Sequence, residues 1–61
     1  MNKEEIKQAF RKQIERNINA CNQSENDNFK AAALYATNEI VLLYSRLCEI
    51  SYVDASAELY A

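Results

Sequence analysis

The sequence predicts an all-α fold, and three observations support this. Apolar residues recur at helical spacing over two long segments, one sustained polar stretch separates them, and glycine and proline are both absent from the 61 residues. Because tight hairpin turns depend on glycine, a sheet of many short strands is not expected. We expect one domain, residues 1–61, built as an antiparallel helical hairpin of residues 3–21 and 25–53, with or without a short C-terminal helix.

The first helix has a readable start. Asn2 is a favourable N-cap residue, and Glu5 follows at the spacing of a capping box. Apolar residues then recur at every fourth position and form one narrow stripe, which consists of Ile6, Phe10, Ile14 and Ile18.

The polar stretch 22–28 predicts the break between the helices. In the absence of glycine, Asn22 is the expected left-handed residue after the first helix. Ser24 is the expected N-cap of the second helix, and Asn26 is nearly as good a candidate.

Two apolar seams follow the second helix. The first alternates steps of four and three, as in a coiled coil, and consists of Phe29, Ala33, Ala36, Ile40, Leu43, Leu47 and Ile50. The second lies about 100° around the helix and consists of Leu34, Thr37, Val41, Tyr44, Cys48, Ser51 and Ala55. The narrow stripe of the first helix covers only one seam.

The uncovered seam predicts a homodimeric four-helix bundle, although its polar members leave open that it faces solvent. The expected interface residues are Phe29, Ala33, Leu34, Ala36, Ile40, Val41, Leu43, Tyr44, Leu47, Cys48 and Ile50. The second helix is also longer than the first, by roughly 12 Å. Either the C-terminal tail or a partner is expected to cover the excess.

The residue types exclude several chemistries. Without histidine there is no Ser-His-Asp triad and no histidine zinc ligand, and without glycine there is no phosphate-binding loop. Cys21 and Cys48 are too few for a metal site and lie roughly 30 Å apart in the hairpin. We expect reduced thiols, with a cross-chain disulfide left open, and no enzymatic activity, metal or cofactor.

Protein binding is the leading function. Tyr35 and Tyr52 lie on the polar side of the second helix, and Val53, Leu59 and Tyr60 mark an apolar C-terminal end. These residues predict a small oligomeric adaptor or modulator, of a kind typical of phage and plasmid accessory proteins. The alternatives are that the tyrosine rings lie flat on the bundle, or that the chain folds only on a larger partner.

A basic face on the first helix gives the alternative function, in which the chain binds RNA or DNA as a regulator. Its residues are Lys3, Lys7, Arg11, Lys12 and Arg16. Glutamates interrupt this face and the net charge is −2, so the signal is weak. The length and two-helix plan resemble those of the small plasmid RNA-modulating hairpin dimers of the Rop type, without a shared residue motif.

The N-terminal sequence is charged and lacks the apolar core of a signal peptide. No apolar run approaches the length of a membrane-spanning helix. We therefore expect a cytoplasmic protein with no membrane partner.

Overall fold

A computed structural model of the chain describes residues 2–61, which fold into three helices with no strand. Helix α1 spans Lys3–Gln23, α2 spans Asp27–Cys48 and α3 spans Tyr52–Tyr60. Each helix contacts the other two. The all-helical class is confirmed, and the C-terminal tail forms the short third helix that the sequence left open.

Helix α1 begins where the sequence predicts. The Glu5 amide donates to Asn2 Oδ1 at 2.8 Å, and Asn2 Nδ2 donates back to Glu5 Oε1 at 3.2 Å. The helix ends at Gln23, two residues later than expected. Asn22 lies inside it, so its prediction as the left-handed residue is wrong.

Helix α2 begins at Asp27 rather than at residue 25, because Asn26 is the N-cap. The side chain of Asn26 accepts a hydrogen bond from the Phe29 amide at 3.0 Å. Ser24 stabilises the turn just before it, since its hydroxyl oxygen accepts from the Asn26 amide at 3.1 Å.

The prediction that the second helix continues to residue 53 is wrong, since α2 ends at Cys48. Glu49 adopts the left-handed conformation (φ 55°, ψ 44°), its amide donates to the Arg46 carbonyl, and the Ile50 amide donates to the Ser45 carbonyl. This is a Schellman motif, formed here without glycine. Ser51 then caps α3 by accepting from the Asp54 amide at 3.0 Å.

The core lies between all three helices and is centred on the second seam of α2. Its buried residues are Ile14, Val41, Tyr44, Ala55 and Leu59. The rings of Phe10 and Tyr44 meet at 5.3 Å between centroids, tilted by 58°, which is a favourable aromatic geometry. The tail therefore packs back onto α1 and α2.

Candidate interaction surfaces

The first seam of α2 is left uncovered, because α1 and α3 pack against the second. Four of its seven members, Phe29, Ala36, Leu43 and Leu47, are exposed. The other three, Ala33, Ile40 and Ile50, are half-buried. We call Phe29, Ala33, Ala36, Ile40, Leu43 and Leu47 the α2 seam. Leu47 keeps 60% of its surface in water, and a row of such side chains is unusual for a monomer.

Fewer residues are accessible to a second chain than the sequence predicts for the dimer interface. Val41 and Tyr44 are fully buried inside the single chain, and Cys48 is half-buried against the same core. Leu34 is exposed but lies on a different side of α2. A second chain could therefore reach the α2 seam, but not the buried part of the second seam around Val41 and Tyr44.

Most of the second seam is buried although several of its residues are polar, because each buried polar group finds a partner. The Thr37 hydroxyl donates to the Ala33 carbonyl at 2.8 Å, and the neighbouring Ser45 hydroxyl donates to the Leu42 carbonyl at 2.7 Å. Among residues 2–61, no buried side-chain nitrogen or oxygen lacks a hydrogen bond. The usual penalty for burying unpaired polar groups is thus avoided.

Tyr44 is the largest fully buried side chain. Its hydroxyl donates to Glu58 Oε1 at 2.8 Å and so connects α2 to α3. Burial raises the pKa of the Tyr44 phenol well above its usual value of 10.0, and the hydrogen bond with Glu58 raises that pKa further. Tyr44 therefore stays protonated and stabilises the position of α3.

The exposed area of the chain is consistent with an uncovered face. Its accessible surface is 4440 Å². A folded monomer of this mass exposes about 4,000 Å² by the usual scaling of surface with mass. The surplus of roughly a tenth accords with the row of exposed apolar side chains on α2.

Beside residues 36–47 of the α2 seam, charge lies on one side only. In heptad terms Glu39 and Arg46 occupy successive g positions, and both are exposed. The e positions on the other side of the seam are Lys30, which is half-buried at the start of α2, and Thr37 and Tyr44, which are neutral and buried. Beside residues 36–47, only the g side could therefore form ion pairs with another helix packed on the seam.

A second exposed surface joins α2 to α3. The Tyr52 hydroxyl donates to Asn38 Oδ1, which places Tyr52 beside α2. Tyr35 and Leu34 lie three and four residues before Asn38 and so neighbour it on the helix. We call Leu34, Tyr35, Asn38 and Tyr52 the tyrosine surface. Tyr35 is its most exposed member, at 68%.

The other three predicted partner-binding residues do not lie on one surface. Val53 is exposed at 74%, whereas Leu59 is buried in the core and cannot contact a partner. Tyr60 is exposed and lines an open groove of about 270 Å³ between α1 and the end of α3. Partial burial raises the pKa of the Tyr60 phenol.

The basic residues of α1 do not form one face. Arg11 Nη2 donates to the Ala61 carbonyl at 2.7 Å, and Lys7 Nζ lies 3.4 Å from Glu4 Oε2. A hydrogen bond from Gln8, followed by the charge of Lys7, lowers the pKa of the Glu4 carboxyl. Lys12 and Arg16 are exposed and lie on the opposite side of α1 from Lys7. Lys3 is also exposed, next to the N-cap.

No group of three or more cysteine, aspartate and glutamate side chains that could hold a metal ion occurs in the described part of the chain. Both cysteines are free: Cys21 is buried with its thiol 3.8 Å from the Lys30 carbonyl, and Cys48 is half-buried. None of the helices in residues 2–61 has the length and apolar character needed to cross a bilayer.

Comparison with known proteins gives no match for the chain among family models, curated proteins or solved structures. Two exposed surfaces, the α2 seam and the tyrosine surface, are therefore the candidate sites of function.

Proposed function

We propose that this chain is a small non-enzymatic helical adaptor that assembles as a homodimer and binds another protein. One observation carries the proposal: large apolar and aromatic side chains are exposed on two separate surfaces, the α2 seam and the tyrosine surface. Clustered exposed apolar side chains are typical of interaction sites.

The two surfaces are far enough apart to be used together. Phe29 and Leu47 fall on one side of α2, and Tyr35 and Asn38 fall more than about 100° around it, at 100° per residue. A chain packed on the α2 seam would leave Tyr35 and Tyr52 accessible. A dimer would therefore present two copies of the tyrosine surface, which increases the strength of binding to a partner with paired sites.

Within each chain, the proposal treats α1 and α2 as an antiparallel pair. Two contacts support this arrangement: Cys21 lies against Lys30 next to the connecting turn, and Phe10 lies against Tyr44 farther from it. Two such pairs joined along the α2 seam would form a four-helix bundle, with α3 packed outside the dimer interface.

The tyrosine surface suits a protein partner. Tyrosine offers a large apolar ring together with a hydroxyl, and it is enriched among residues that contribute most to binding energy. The hydrogen bond from Tyr52 to Asn38 holds one ring in place before binding, which lowers the entropic cost of association.

The experiment is affinity capture from an extract of the source organism, treated with nuclease, with three forms of the chain as bait. The wild type and a control, Lys12→Glu with Arg16→Glu, are expected to recover the same protein. The variant Tyr35→Ser with Tyr52→Ser is expected to lose it. Circular dichroism establishes that all three baits are equally helical.

Two outcomes would overturn the adaptor function. Undiminished recovery by the tyrosine variant would show that the tyrosine surface is not used. Recovery that depends on intact nucleic acid and on Lys12 and Arg16 would instead favour the nucleic-acid-binding alternative.

A further inference from the structure

We infer that the occupant of the α2 seam is the α2 helix of a second copy, packed antiparallel in one register that reciprocal Glu39–Arg46 ion pairs select. This inference rests on the proposed homodimer and adds its geometry. It follows from the heptad positions along α2, from which of them are buried, and from the two exposed charges.

Charge determines the direction of the partner helix. In a parallel pair, a g residue faces an e residue of the other helix, whereas in an antiparallel pair it faces a g residue. In the parallel case Glu39 would face Tyr44, which is neutral and buried. Arg46 would face Ser51, which is neutral and lies beyond the end of α2. In a parallel pair Glu39 and Arg46 would therefore have no opposite charge across the interface.

Charge also determines the register. When Ile40 of one copy lies opposite Leu43 of the other, the two-fold symmetry brings Glu39 of each copy near Arg46 of the other. The next antiparallel register in one direction brings Glu39 against Glu39, and in the other direction it brings Arg46 against Arg46. Facing like charges destabilise an interface, so a single register is favoured.

The sizes of the apolar side chains agree with this register. Leu47 of one copy lies opposite Ala36 of the other, and Ile40 opposite Leu43, so that the outer layers pair a large side chain with a small one. In a parallel pair, Leu47 would face Leu47 and Ala36 would face Ala36, which alternates crowded layers with cavities. Packing of large against small side chains fills an interface without voids.

The test is a charge-swap cycle, read by sedimentation equilibrium at low salt. Glu39 and Arg46 are both exposed, so Glu39→Arg and Arg46→Glu leave the fold of each chain intact. Each variant alone would place two like-charge pairs in the dimer and is expected to raise its dissociation constant about tenfold. The double variant, Glu39→Arg with Arg46→Glu, is expected to restore it.

A mixture of the two single variants gives the sharpest result. One chain then carries arginine and the other glutamate at both positions, so the mixture is expected to form a heterodimer at least as stable as the wild type. High salt is expected to remove all these differences, because exposed charges are then screened.

A matched control is Glu15→Arg, which reverses an exposed charge on α1 away from the α2 seam and is expected to leave dimerisation unchanged. A wild-type dimer that is insensitive to the charge swaps, or whose single variants do not associate with one another, would overturn the antiparallel register while leaving the homodimer standing. A wild-type chain that stays monomeric would overturn the homodimer itself.

A second experiment does not depend on charge. With Cys21 and Cys48 both changed to serine, chains carrying Ala36→Cys and chains carrying Leu47→Cys are oxidised separately and as a mixture. The antiparallel register predicts a mixed disulfide dimer only, because each position is about 16 Å from its own symmetry mate. Disulfide dimers of each variant with itself, and no disulfide between the two variants in the mixture, would show a parallel pair.

Discussion

The two apolar seams of α2 differ in a way that their composition does not suggest. The α2 seam is the more apolar of the two, yet most of it faces outward. The second seam contains Thr37, Tyr44 and Cys48 and lies against α1 and α3. Hydrogen-bonded polar residues are therefore compatible with a core, and a well-formed apolar stripe can remain exposed and accessible to another chain.

The physical reason lies in what each seam offers to its neighbours. Tyr44 fills a large volume where three helices meet and donates its hydroxyl to Glu58. Ala55 and Leu59 of α3 complete the same core. Most of the α2 seam has no such neighbour within the chain, although Ile40 packs against the edge of the core, because α1 presents only one narrow stripe and α3 is nine residues long.

The largest expected effect comes from truncating a buried side chain in the core that surrounds the second seam. Leu59→Ala removes a buried side chain of α3 and is expected to lower the free energy of unfolding by about 2–5 kcal/mol. Val53→Ala, at an exposed position of the same helix, is the control and is expected to change it by less than about 0.5 kcal/mol. Urea titration measures both. Equal, small effects would mean that α3 does not belong to the core.

Removing the Tyr44 hydroxyl is expected to have a smaller effect that depends on pH. Tyr44→Phe is expected to cost about 1 kcal/mol near neutral pH, because the hydrogen bond to Glu58 is lost. The phenol has a raised pKa in the folded chain and its ordinary pKa in the unfolded chain. Protonated Tyr44 therefore stabilises the fold fully below pH 10, and this stabilisation is lost as the pH rises beyond it.

The wild type is consequently expected to lose stability relative to Tyr44→Phe above pH 10, while the difference between them stays constant at lower pH. Thermal or urea unfolding of both chains at a series of pH values measures this. A difference that does not vary up to strongly alkaline pH would contradict the buried, hydrogen-bonded position of Tyr44.

The end of α2 gives the smallest of these effects, and it is stabilising. Glu49 adopts a left-handed conformation that costs a residue with a Cβ atom about 1 kcal/mol more than glycine. Glu49→Gly is therefore expected to raise the free energy of unfolding by about 0.5–1 kcal/mol. Glu15→Gly, inside α1, is the matched control and is expected to lower it by about 1 kcal/mol. A loss of stability in both variants would argue that α2 continues past Cys48.

Local signals were predictable from the sequence, and the choice between seams was not. The Asn2 cap and the existence of the two long helices follow from residues that are close in sequence. The end of α2 at Cys48 is not predictable from periodicity, because the heptad pattern continues to Ile50 and no glycine marks the turn. Ser51, three residues before Asp54, carried a capping signal that could have located it.

Which seam faces inward depends on contacts between residues that are distant in sequence, such as Tyr44 with Phe10 and with Glu58. Periodicity along one helix carries no information about these contacts. For the same reason the sequence predicts Leu59 as a partner-binding residue, although the packing of α3 against α1 and α2 buries it. The proximity of Tyr52 to Asn38 likewise depends on the packing of α3.

Sedimentation equilibrium of the wild type beside a variant of the α2 seam tests directly whether a second copy of the chain packs on this seam. The wild type is expected to approach twice the 7.0 kDa mass of the single chain as its concentration rises. Leu43→Glu with Leu47→Glu is expected to remain at the single-chain mass while keeping its helical content, because both side chains are exposed in the isolated chain. Equal association of the two proteins, or a wild type that stays at the single-chain mass throughout, would contradict the claim that a second copy packs on this seam.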